Sequence, residues 1–75
     1  MRTKEINMNR VINNDYLGDI TVVKHLWMDT RDDGEAKAFA EKFAKENNLR
    51  ILSYNIGLNP WYTGKIGRYA VLYRE

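Results

Sequence analysis

The sequence predicts a single α+β domain of order β-β-α-β-β, a four-stranded, mainly antiparallel sheet with one helix packed on one face. Three observations carry this. Ala36, Phe39, Ala40, Phe43 and Ala44 recur at intervals of three and four, which marks one amphipathic helix. Stretches rich in β-branched and aromatic residues flank that helix on both sides. The chain has 75 residues, with 44% hydrophobic and 29% charged residues. Folding at 8.9 kDa leaves about 4,800 Å² accessible out of roughly 12,900 Å², enough for one thin core and no second domain.

The helix is expected over Asp33 to Glu46. Asp32 followed by Glu35 reads as a capping box, and Asp33 adds negative charge at the positive end of the helix dipole. Lys37 with Glu41, Glu41 with Lys45, and Lys42 with Glu46 stand four apart on the solvent side. Asn47 or Asn48 supplies the left-handed residue that ends the helix.

Ahead of the helix, residues 4 to 12 read as an edge strand, Asn13-Asn14-Asp15 as a turn, and Asp19 to Met28 as a central strand. That strand alternates only partly and carries apolar residues on both sides. Alternation sets Ile20, Val22, Leu26 and Met28 toward the helix and leaves His25 and Trp27 on the opposite side, the alternative being that the aromatics face the helix as ordinary core. After the helix, Arg50 to Ile56 and Gly67 to Arg74 are the third and fourth strands. Gly57 to Lys65, punctuated by Gly57, Asn59-Pro60 and Gly64, is the loop between them. One helix covers only one side of such a sheet, so the other side must meet water or another molecule.

The function classes narrow by exclusion. Without cysteine there are no disulfides, thiolate nucleophiles or Cys-ligated metals. His25 is the only histidine and has no companion ligand at useful spacing beyond Asp29. Asp29, Asp32, Asp33 and Glu35 lack the alternating oxygens, central Gly and closing Glu of a calcium loop. Ser53, mid-strand, has no nucleophile-elbow surroundings, and Gly64-x-x-Gly67 has neither the strand before it nor the helix after it that a phosphate loop needs. No cofactor, no metal and no catalytic activity are expected. The first ten residues carry Arg2, Lys4, Glu5 and Arg10 with no apolar run behind them, and no stretch is long enough to span a membrane. A cytoplasmic location without membrane association is the expectation.

Formal charge is +2, too small to draw nucleic acid to the molecule as a whole. Residues 32 to 48 hold three Lys against five acids, while residues 49 to 75 hold Arg50, Lys65, Arg68 and Arg74 against Glu75. The C-terminal third is therefore the basic part. The stretch 59 to 69 mixes Trp61, Tyr62 and Tyr69 with Lys65 and Arg68, the residue types that dominate protein contacts when centred in a patch. Its plain structural alternative is that Trp61 folds back to close one end of the core. Together with Trp27 and Tyr54 on the sheet, these residues predict a protein-binding surface made of Trp27, Tyr54, Trp61, Tyr62, Lys65, Arg68 and Tyr69.

The expected role is that of a small non-enzymatic interaction or regulatory protein, of a size and composition that suit a phage or mobile element. A homodimer formed through a sheet face or edge would relieve the limited core. The alternative is a module for single-stranded nucleic acid, with rings stacking on bases and Lys65 and Arg68 on phosphates.

Overall fold

A computed structural model describes residues 1–58 and 65–75. The elements run β1 (Thr3–Asn14), β2 (Gly18–Met28), α1 (Asp33–Glu46), β3 (Arg50–Leu58) and β4 (Ile66–Arg74). All strand pairs are antiparallel, in the spatial order β1-β2-β4-β3. The expected β-β-α-β-β architecture is the one observed. Both hairpin strands extend beyond their expected ends, and β3 continues through Gly57 to Leu58.

Local chemistry fixes the turns. Asn14 Oδ1 accepts the backbone N–H of Tyr16 at 2.9 Å and of Leu17 at 3.0 Å, and Gly18 follows with φ 76°. This side-chain mimic of a backbone turn reverses β1 into β2. At the helix start, Asp32 Oδ1 accepts the Glu35 N–H at 3.0 Å. At its end, Leu49 N–H reaches Ala44 O at 2.8 Å and Asn48 N–H reaches Lys45 O at 3.3 Å, with Asn48 at φ 55°. That double bond pattern around a left-handed residue is the Schellman stop, and it returns the chain to the sheet at Leu49.

The helix meets the sheet through its smallest side chains. Ala36, Ala40 and Ala44 are buried against Leu26, Met28, Ala70 and Leu72, and Phe39, Phe43, Leu49, Ile51 and Tyr54 pack around that cluster. Alanine at successive turns lets the helix axis approach closely, while the two phenylalanines seal the sides of the contact. Lys24 also belongs to this side. Its ammonium lies 5.5 Å from the centre of the Phe43 ring and 2.7 Å from Glu5 Oε1.

Alternation along β2 is interrupted, which corrects the expected helix-facing set. Strand β4 pairs regularly, but its partners slip between Val22 and Lys24 on β2 and between Ile51 and Ser53 on β3; β1 slips against β2 between Asn7 and Arg10. The slips on β2 and β3 each insert one extra residue and move every side chain beyond it to the other face, whereas on β1 Met8 and Asn9 together face Val23 and the alternation of β1 is kept. Leu26 and Met28 therefore face the helix as expected. Ile20 and Val22 do not: Val22 stands opposite Tyr73, on the side of Val71, His25, Tyr69 and Trp27. Ile20, Val22, Trp27 and Tyr73 are all buried, yet none belongs to the cluster under the helix. The sheet carries apolar packing on both sides.

Candidate functional site

The pairing register assigns each predicted site residue to a side, because directly opposed residues share a face. On the side away from the helix, Lys4 opposes Trp27, Ile6 opposes His25 and Arg10 opposes Val22; next, Trp27 opposes Tyr69, His25 opposes Val71, Asn55 opposes Tyr69 and Arg50 opposes Tyr73. Gly57 and Gly67 also oppose each other there.

These two glycines make the floor on which the rings lie. A Cβ built on Gly67 would fall 2.7 Å from Cε2 and Nε1 of Trp27, and a Cβ on Gly57 would strike the Tyr69 ring. Each aromatic leans diagonally onto the glycine of the next strand, Trp27 across β4 and Tyr69 across β3. Strand glycines often mark such close approaches. Tyr69 is fixed further by its hydroxyl, which donates to Leu58 O at 2.8 Å, and its ring meets His25 edge-on at 6.4 Å between centroids.

Availability then separates the predicted residues. Trp27 is 1% exposed, with its indole Nε1 buried and unpartnered, so it offers no surface to a ligand. Tyr69 and His25 are half-buried and present one side outward. Tyr54 is corrected to the helix side: it opposes Ala70, packs on the core beneath α1 and has the Lys37 ammonium 5.7 Å from its ring centre. The slip between Ile51 and Ser53 is what turns it there. Arg68 also faces the helix and is buried. Its guanidinium donates to Asp33 Oδ1 at 2.5 Å, to Arg31 O at 3.0 Å and to Gly67 O at 3.1 Å. Lys65 remains open to solvent, 3.9 Å from Asp29, beside a shallow pocket of about 340 Å³ lined by Asp29, Thr30, Arg31, Lys65 and Ile66. Trp61 and Tyr62 lie outside the described residues.

The register also brings together residues that pattern reading had not grouped. Lys4, Arg10 and Arg50 stand toward the two outer strands of the side away from the helix, and no carboxylate occurs among the opposed pairs on that side. Glu5 and Asp19 fall on the helix side. Such an arrangement gathers cations on one sheet face within a molecule whose net charge is only +2, with Glu75 meeting Arg50 there at 3.8 Å. Among the described residues no group of His and carboxylates is placed to hold a metal, and no helix is long and apolar enough to cross a membrane.

Among the described residues two phenols are perturbed. Burial pushes the Tyr54 hydroxyl above its ordinary value of 10.0, helped by the negative charge of Asp33 and opposed by Arg68. Burial alone raises Tyr69. A raised phenol pKa means that the fold prefers the protonated ring. The stabilisation is fully present below about pH 10 and is lost as pH rises through the folded-state values. In an alkaline titration followed by phenolate absorbance, Tyr54→Phe and Tyr69→Phe are each expected to remove signal from the late part of the curve. Loss from the early part instead would show that the ring is not shielded.

No family model, curated protein or solved structure matches this chain.

Proposed function

We propose that this chain is a non-enzymatic interaction protein that docks an acidic protein surface on the side of its sheet away from the helix. The observation that carries this reading is the gathering of cations on that side of the sheet: Lys4, Arg10 and Arg50 flank the half-exposed Tyr69, His25, Val71 and Ile6, and no carboxylate occurs among the opposed pairs. The one carboxylate that reaches these cations in an ion pair among the described residues, Glu75, stands 3.8 Å from Arg50 with both side chains exposed. The rings and aliphatic groups supply burial, and the cations steer and orient an acidic partner. No chemical step is required.

Single-stranded nucleic acid is the second reading, favoured by one feature. Tyr69 lies against Gly57 at the level of the sheet, the pose of a stacking platform, between basic margins. Affinity recovery from native extract, with and without nuclease, tests both readings when run beside an Arg10→Glu/Arg50→Glu variant. The first reading expects a protein retained by the parent chain, insensitive to nuclease and lost with the variant. Saturable binding of single-stranded oligonucleotides that weakens steeply with salt would replace it with the second.

A further inference from the structure

The two outer strands of the sheet, β1 and β3, are protected very differently. Strand β1 carries Lys4, Glu5 and Arg10 and breaks register between Asn7 and Arg10, the usual means by which an edge is kept from pairing. Strand β3 has no charged residue from Ile51 to Leu58. Beyond its slip at Ile51 to Ser53 it pairs with β4 without irregularity to Leu58, so its other edge is a straight row of backbone donors and acceptors. That stretch also carries exposed apolar side chains. Ile56 is 67% exposed and Leu58 57%, with Ile66 opposite Leu58 at 42%. Helix α1 begins level with Arg68, which Asp33 contacts, and so leaves this end of the sheet uncovered.

We propose that two copies of this chain join antiparallel along β3, about a two-fold axis at Ile56, to form one continuous eight-stranded sheet. An interface of that symmetry must be complementary to itself, and this segment is. The regular run 53–58 lies between the slip and the strand end, and within it an axis at Ile56 overlaps 54–58 and sets the apolar helix-side residues against one another. Pairing about that centre sets Ile56 against Ile56 of the partner subunit and Tyr54 against Leu58 of the partner subunit. All of these lie on the helix side. No like charges meet, because Arg50 falls beyond the overlap. Both helices end on one side and both basic faces on the other, so a ligand of the proposed docking face would meet a doubled surface. The dimer itself uses none of the cations, involves Tyr69 only through its hydroxyl on Leu58 O, and goes beyond that reading. A short edge contact of this kind lies at the small end of stable interfaces, which implies an equilibrium that depends on concentration.

Sedimentation over micromolar to millimolar concentrations tests the proposal with the parent chain, Ile56→Lys and Ile56→Glu. At 67% exposure Ile56 is not needed for folding, and unchanged circular dichroism and melting confirm that for each variant; Leu58→Lys serves if either fails. The parent is expected to pass from monomer to dimer. Each charged variant is expected to associate at least roughly tenfold more weakly, since the substitution places like charges across the axis, and an equimolar mixture of the two should regain the parent's affinity. Arg10→Glu/Arg50→Glu should dimerise as the parent does, which separates this result from the fate of the docking face. A parent that stays monomeric throughout, an Ile56→Lys chain that dimerises as tightly as the parent, or a mixture no tighter than its components would each overturn the proposal.

Discussion

Replacing Gly67 by alanine is expected to destabilise the protein by about 2–3 kcal/mol, near the upper range for overpacking a filled site. In a chain of this length that lowers the melting temperature by roughly 10–20 °C. The added methyl would overlap the carbonyl oxygen of Met28 and lie 2.7 Å from two atoms of the Trp27 indole. Neither neighbour yields cheaply. Met28 O is backbone inside the β2–β4 pairing, and Trp27 is 1% exposed with no free space to enter. Gly57→Ala should cost less, because its methyl meets only the ring of Tyr69, which can swing outward once its bond to Leu58 O breaks. Gly18→Ala meets nothing within 4 Å and is strained only by its φ of 76°, for about 1 kcal/mol. Urea unfolding of the three variants should rank them Gly67, Gly57, Gly18 in decreasing loss. A Gly67→Ala chain within about 0.5 kcal/mol of the parent would show that Trp27 does not rest on that glycine.

The same glycines explain why the sheet was legible and the site only partly so. Helix α1 announced itself through the alanine and phenylalanine spacing and through Asp32 and Glu35, signals that act within one turn and need no knowledge of the rest of the chain. Its end at Asn48 was readable for the same reason. Strand identity followed from β-branched content. What alternation alone could not give was the side of each residue, because one extra residue between Val22 and Lys24, and another between Ile51 and Ser53, inverts everything beyond it. Ile20 and Val22 were therefore assigned to the wrong side, and Tyr54 was grouped with rings that lie on the other face. Gly57 read as the start of a loop, although it lies inside β3 as the seat of Tyr69, since a strand glycine and a turn glycine look alike until their neighbours are known. The basic margin of Lys4, Arg10 and Arg50 was invisible in the chain for a related reason. Those residues come from two strands far apart in sequence, and only the register aligns them.

Arg68→Ala is expected to cost about 2–3 kcal/mol, the range for hydrogen bonds that involve a charged group. The reason lies in what the guanidinium joins. From β4 it reaches Asp33, the first helical residue, and the carbonyl of Arg31 in the segment leading into the helix, so one side chain fastens the sheet to the start of α1. Its removal strips a charged donor from the carbonyls of Arg31 and Gly67. The Asp33 carboxylate adds less to the loss, because its side chain is 62% exposed and water can take over. Asp33→Asn should accordingly cost only about 1 kcal/mol. Arg68→Lys should recover less than half of the alanine loss, since a lysine is a point charge and cannot span both the carboxylate and the Arg31 carbonyl. Arg74, exposed on the same strand, is the control, and its alanine variant should stay within about 0.5 kcal/mol of the parent. Denaturant midpoints at constant slope measure all four. An Arg68→Ala chain that unfolds with the parent while losing its ligand would place this arginine at the binding surface after all, and the tie to Asp33 would then count as incidental to the fold.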